Sequence, residues 1–213
     1  MMTEDQTLDP QGWWEDFYRT RRTSTSGRPS AMMLRFATGL APGRALDLGA
    51  SHGDDVLWLA ARGWEALGLD ISPTAVGRAE ARAAEAGLAG RARFEARDLE
   101  AGLPEGRFDL VTALYFQSPV TPFPRAQILR AAAALVPPGG HLLVVAHAAP
   151  PPWASGKHGG DFPTVESERA DLAADPALWD EVVADVVARP GTGPEGEAAE
   201  LLDTVLFLKR RSA

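Results

Sequence analysis

The segment 45–53 reads ALDLGASHG: a short apolar run carrying a carboxylate, Asp47, that breaks at Gly49. Gly49 permits a tight exit from a strand, and Gly53 permits close approach of the backbone to a ligand. A second apolar run, 65–69, delivers another carboxylate, Asp70. At that place a carboxylate accepts hydrogen bonds from two neighbouring hydroxyls and repels a phosphate. The dinucleotide fingerprint G-x-G-x-x-G would need glycine at 51 and 54, where the chain has Ser51 and Asp54. Asp54 also sets negative charge where a pyrophosphate would meet a helix N-terminus. This acidic loop therefore suits a ligand that combines a diol with cationic groups.

The other residues able to do chemistry are few. Of the four histidines, His52 lies in the loop and shapes it, and His141 begins a strand. His147 follows the last strand of the alternating region and is the candidate general base, a role needed only if a nucleophile must lose a proton. The long connection 148–162 holds Trp153, His158 and Asp161, of which Trp153 and His158 are candidates for a substrate pocket. His147, His158 and Asp161 match no metal-ligand spacing, and no metal is expected. The chain has no cysteine, so thiolate ligands, disulfides and a cysteine nucleophile are excluded.

These residues need a scaffold, and the pattern supplies one. Helices are expected over 31–40, 54–62, 74–86, 125–135 and 166–173, and strands over 44–48, 65–69, 93–96, 108–114, 141–146, 181–187 and 204–209. Ser72 reads as an N-cap with Pro73 at the first helical position, and Gly63 and Gly87 read as helix stops. Segment 189–196 reads as a loop, and 204–209 as an edge strand. Strands separated by helices of this length imply a doubly wound, mostly parallel seven-stranded α/β sheet with an antiparallel edge strand. Ligands bind such sheets beyond the carboxyl ends of the strands, beside the first strand, which is where Asp47 to Gly53 falls. Residues 1–30 form an N-terminal helix and loop whose Trp13, Trp14, Phe17 and Tyr18 either dock on the core or cover a ligand as a lid. Residues 31–213 form the main domain.

A net charge of -8 disfavours nucleic acid as the main partner, and the short basic clusters 19–22 and 209–211 read as solvated ends. No apolar stretch approaches the ~20 residues of a membrane span. The acidic start is not a signal peptide, so a cytoplasmic protein without membrane contact, monomeric or homodimeric, is expected.

Five segments coincide in order: ALDLGASHG, LGLDISP (67–73), FEARDLE (94–100), FDLVTALYF (108–116) and LVPPGGHLLVV (135–145). On these the chain, over roughly 31–147, resembles the class I S-adenosylmethionine-dependent methyltransferases, whose fold is Rossmann-like. The N-terminal aromatic helix, LWLAARGW (57–64) and a histidine after strand five look like the small bacterial relatives of tellurite and thiopurine methyltransferases. The resemblance implies S-adenosyl-L-methionine as cofactor and a small-molecule methyl acceptor, with transfer to O, N or S. It places Asp47, Gly49 and Ala50 around the methionine part and Asp70 on the ribose. Ile71 would pack on adenine, Asp98 and Leu99 would meet its amino edge, and Ala113 would approach the methionine end. Trp14, Tyr18 and Tyr115 would then face the acceptor.

The chain departs from the family at Ser51, where many relatives have glycine and where a positive φ is strained. The Trp and Asn that such relatives often carry near 24–30 are replaced by Ser24, Thr25 and Ser30. A competing expectation is a non-catalytic S-adenosylmethionine- or S-adenosylhomocysteine-binding regulatory or accessory protein on the same fold.

Overall fold

The computed structural model describes residues 9–154 and 162–212; the expected pocket residues His158 and Asp161 lie outside them. Its seven strands are β1 (Arg44–Leu48), β2 (Glu65–Asp70), β3 (Ala92–Ala96), β4 (Leu110–Leu114), β5 (His141–His147), β6 (Trp179–Thr192) and β7 (Ala198–Arg210). The helices are α1 (Pro10–Thr20), α2 (Ala31–Ala37), α3 (Asp54–Ala61), α4 (Pro73–Glu85), α5 (Arg125–Ala134) and α6 (Val165–Leu172). The sheet runs β3-β2-β1-β4-β5-β7-β6, parallel from β3 to β5 and antiparallel on both sides of β7.

Parallel strands covered on both faces must be apolar throughout, and Ala45–Leu48, Leu110–Ala113 and Leu142–Ala146 are buried without alternation. On one face Leu46, Leu142 and Val144 pack against Ile128, Leu129 and Ala132 of α5. On the other, Ala45, Ala66 and Leu110 pack with Leu59 of α3 and Ala79 and Ala83 of α4. The expected start of α4 is present: the Ser72 side chain accepts from Ala75 N–H, and Pro73 opens the helix.

Two expectations for the last third are corrected. Segment 189–196 was expected as a loop, but Arg189–Thr192 continues β6, with Pro190 opposite Glu200 and Gly191 opposite Ala199. A strand with only one neighbour tolerates proline, because its missing N–H would have faced away from the ladder. Segment 204–209 was expected at the edge, but β7 lies between β5 and β6, so β6 is the edge. Residues Asp203–Leu208 are buried in succession, as an interior strand requires.

The order reverses at β1: the chain winds outward through β2 and β3, then returns to β4 on the other side of β1. That reversal opens a crevice at the carboxyl ends of β1 and β4.

Candidate active site

The crevice is a cavity of about 760 Å³. Loops after β1, β2, β3 and β4 line it, and α1 with the segment 22–30 borders it. Of the site residues expected from sequence, Asp47, Gly49, Ala50, Asp70, Ile71, Asp98, Leu99, Trp14, Tyr18 and Tyr115 line this one space. Gly53, Ala113, His147 and Trp153 do not.

Gly53 was expected to let the loop approach a ligand, but it sits at the start of α3 with φ +77°, where an added Cβ would lie 2.6 Å from Phe94. Its small size serves packing against β3. Ala113 is buried within β4, and its successors Leu114 and Tyr115 reach the cavity instead. Trp153 lies in the short 3-10 turn Pro152–Ala154, half-buried.

Asp70 is the best-held acid. Its Oδ1 accepts from Ser72 N–H at 3.0 Å, and its Oδ2 accepts from Ser51 N–H at 2.8 Å and from the Tyr18 hydroxyl at 3.4 Å. Burial pushes its carboxyl up, and these backbone donors oppose that shift. Ser51 does take the strained conformation anticipated for it, with φ +51°. The Ser51-to-Asp70 bond ties the loop after β1 to the end of β2, and this offsets the strain.

Asp47 is buried and accepts from the Thr112 hydroxyl at 2.6 Å. Asp55 accepts from Ser30 N–H at 2.7 Å. Burial raises the Asp47 carboxyl well above the carboxylate range, and repulsion from Asp55 and Asp70 adds to it. Burial likewise raises that of Asp55. Among the described residues none of Asp47, Asp55 and Asp70 forms an ion pair, whereas Asp54 pairs with Arg82 at 2.6 Å. Asp47 and Asp70 are buried and Asp55 half-buried. Although Arg22, Arg28 and Arg97 also line the space, none of them forms an ion pair with these three acids among the described residues, which leaves the acids able to receive a cationic ligand group.

At the other end, Asp98 accepts from Glu100 N–H at 2.9 Å, and Arg97 is occupied by Glu95 at 2.6 Å. Ile71 and Leu99 give that end apolar walls.

The two readings of the N-terminal helix meet in one arrangement. Glu15 accepts from the Ser72 hydroxyl at 2.6 Å, from Thr74 N–H at 3.1 Å and from the Thr74 hydroxyl, so α1 docks on the start of α4. Arg78 donates to the Tyr18 carbonyl at 2.7 Å. Docked there, α1 presents Trp14 and Tyr18 to the cavity. His52 is buried under this contact, 3.4 Å from Arg78, and borders the cavity; burial and the nearby arginines lower its pKa. Glu15→Ala removes the acceptor for three donors and should release α1. Trypsin should then cut at Arg19, Arg21 or Arg22 at least tenfold faster than in the parent, and equal rates would show that other contacts hold the helix.

His147 ends β5 with its side chain 46% exposed and Nδ1 3.1 Å from Asp203 Oδ1. Its ring stacks on Tyr115, centroids 4.4 Å apart. Asp203 was not anticipated; its signal was a lone acid inside the apolar run LLDTVLFL of β7. Arg125 and Glu168 were also missed. They form a bidentate buried pair at 2.9 and 3.0 Å, and Arg125 Nε donates to the Phe116 carbonyl in the cavity wall at 2.8 Å.

Comparison with known proteins places this geometry. Residues 45–140 match the family described as methyltransferase domain. Ribosomal protein L11 methyltransferase of Thermus thermophilus is 48% identical over 80 residues, a match covering 36% of this chain and 30% of that protein. The fold is shared with TehB from Haemophilus influenzae, at 15% identity and TM-score 0.66, over 93% of this chain and 67% of that one. It is shared too with magnesium protoporphyrin IX methyltransferase (ChlM) from Synechocystis PCC 6803 with bound SAH, at 18% identity and TM-score 0.63, over 96% and 100% of the two chains. Among the described residues no helix is long and apolar enough to cross a membrane. Sequence match and fold agree in kind: residues 45–140 are similar to the methyltransferase-domain family, and the whole sheet has the fold of these solved structures.

Proposed function

We propose that this chain is a methyltransferase that transfers a methyl group from S-adenosyl-L-methionine to an O, N or S atom of a small molecule. The observation that carries the reading is the set of three acids, Asp47, Asp55 and Asp70, which line a cavity bordered by α1 and form no ion pair among the described residues. The donor brings two cations, an ammonium and a sulfonium, to a site that has acids to receive them. Asp70 holds the ribose hydroxyls, Ile71 and Leu99 enclose the adenine, and Asp98 accepts from its amino group. Asp47, Gly49 and Ala50 face the methionine end. The small acceptor is supported by α1 and the segment 22–30, which border the cavity.

The chemistry that bound S-adenosylmethionine supplies is an electrophilic methyl group on sulfur. The chain contributes by holding donor and acceptor at near-attack distance, where prepaid ordering supplies much of the barrier reduction. Loop strain at Ser51 and the short Asp47–Thr112 bond fix the donor side before any ligand arrives.

Calorimetry with S-adenosylmethionine and S-adenosylhomocysteine tests the reading. Micromolar binding of both is expected, and a folded sample that binds neither at millimolar concentration would sink it. Transfer of labelled methyl to members of a panel of thiols, phenols and amines separates an enzyme from a binding protein without turnover.

The raised acids set the sign of a pH effect. Asp47 and Asp55 hold protons more tightly in the folded protein than in the unfolded chain, so their contribution to stability falls as pH rises from the carboxylate range towards neutrality. A cation seated beside them favours the ionised forms. Binding should release a proton, and affinity should increase with pH across the neutral range. Binding enthalpies in buffers of different ionisation enthalpy measure that release; proton uptake would contradict it.

A further inference from the structure

The cluster around Asp203 is not explained by donor binding. Asp203 has no exposure, although it sits in an otherwise apolar strand. Its Oδ2 accepts from the Tyr115 hydroxyl at 2.7 Å and from Arg189 Nε at 2.5 Å, and its Oδ1 faces His147 Nδ1 at 3.1 Å. His147 and Asp203 are direct partners in the β5–β7 ladder, and Asp203 faces Val187 across β6. A buried ion pair gives a sheet little that an apolar pair of similar volume would not. The three donors instead hold the carboxylate in a single orientation, and despite burial they keep it ionised.

Tyr115 supplies a second observation. It leaves β4 with φ +56°, a left-handed conformation that strains a bulky residue. In that conformation it does two things at once: it borders the cavity, and its ring forms the platform on which the His147 imidazole stacks. His147 has its Nδ1 edge turned to Asp203 and is otherwise half exposed, and among the described residues Nε2 has no hydrogen-bond partner, so Nε2 is the nitrogen proposed to act. The groups facing it from the elements packed against it are Tyr115 from the end of β4, Asp203 from β7 and, through Asp203, Arg189 from β6.

We propose that an acceptor seated beside Tyr115, where the cavity adjoins His147, gives its proton to that histidine, that Asp203 is the positioning residue of this base, and that the acceptor is accordingly a protic nucleophile: a thiol, phenol or alcohol. The proposal rests on the methyltransferase reading above. The acceptor X–H gives its proton to Nε2 as the lone pair on X forms the X–CH3 bond. The carbon–sulfur bond of the donor breaks with its electron pair going to sulfur, leaving a neutral thioether. The proton then passes from His147 to water. Asp203 stays ionised throughout; it fixes the neutral ring as the Nδ1–H tautomer and stabilises the imidazolium.

The test uses the full-length protein. Nitrogen-resolved spectra of the histidine side chains at neutral pH should show His147 as the Nδ1–H tautomer in the parent and a shift to Nε2–H in Asp203→Leu. Circular dichroism and S-adenosylhomocysteine binding serve as controls for folding. With 2-mercaptoethanol and catechol as protic probe acceptors and dimethyl sulfide as the proton-free one, the protic probes should be methylated faster. His147→Gln should lower kcat on them about 100- to 1000-fold while leaving S-adenosylhomocysteine affinity unchanged. Asp203→Leu should lower it similarly, and the double variant should be no slower than His147→Gln alone. An Nε2–H tautomer in the parent, dimethyl sulfide as the preferred probe, or unchanged kcat in His147→Gln overturns the assignment. Failure of the parent to bind S-adenosylhomocysteine would instead remove the methyltransferase reading itself.

Discussion

Replacing Asp70 by Ala should weaken binding of S-adenosylmethionine by about 3 kcal/mol, roughly a hundredfold. Two losses combine. The carboxylate is the acceptor proposed for the ribose hydroxyls, and hydrogen bonds to a charged group are the stronger class. The same carboxylate holds Ser51 N–H and Ser72 N–H, so its removal also frees the strained loop after β1. Asp70→Asn keeps one acceptor oxygen and should cost less. Calorimetry on both variants checks this, and an affinity unchanged in Asp70→Ala would place the diol elsewhere in the cavity. Tyr18→Phe is the companion measurement. Its hydroxyl donates to the oxygen of Asp70 that also takes Ser51 N–H, so removing it leaves that oxygen freer for a ligand hydroxyl. Affinity should hold or rise in Tyr18→Phe.

The second large effect concerns stability. Arg125 and Glu168 join α5 to α6 with side chains only 12% and 2% exposed. Glu168→Ala leaves the buried Arg125 with only the more exposed Asp171, 3.8 Å away, as a carboxylate partner, and should cost about 3–5 kcal/mol. For a chain of this size that is a fall in Tm of roughly 6–20 °C. Arg125 also donates to the Phe116 carbonyl, so Arg125→Ala should deform the cavity wall and lower ligand affinity as well. Replacing both residues by Leu should be milder than either truncation, because no unpaired charge is left buried. Thermal unfolding of the three variants decides; a loss below about 1 kcal/mol in Glu168→Ala would show that the pair is solvated in solution.

The parallel half of the sheet was readable because its rules are local. Gly49, Gly63 and Gly87 punctuate the βα units, Ser72–Pro73 announces α4, and a fully buried parallel strand advertises itself as an unbroken apolar run. Strands β1 to β5 lie within two residues of where those signals put them. The antiparallel end was harder. Pro190 and Gly191 carry a turn composition, yet they sit in an edge strand where a missing donor costs nothing. Whether the apolar run of β7 is interior or peripheral depends on its neighbours, which a single strand does not encode.

The same division runs through the site. From the loop ALDLGASHG and Asp70 the sequence alone pointed to a ligand with a diol and cationic groups, because glycine placement and carboxylate spacing are properties of adjacent residues. It also marked Ser51 as a residue that any positive φ would strain, which follows from the residue type. Only the tertiary structure decided what relieves that strain, since Asp70 comes from another strand. Only it brought Glu15 to α4, assigned Gly53 to packing against Phe94, and set Asp203 opposite His147, 56 residues apart in the chain. Periodicity and caps act over a few residues, whereas hydrogen bonds between strands distant in sequence follow from sheet order, and sheet order is settled by packing the whole chain at once.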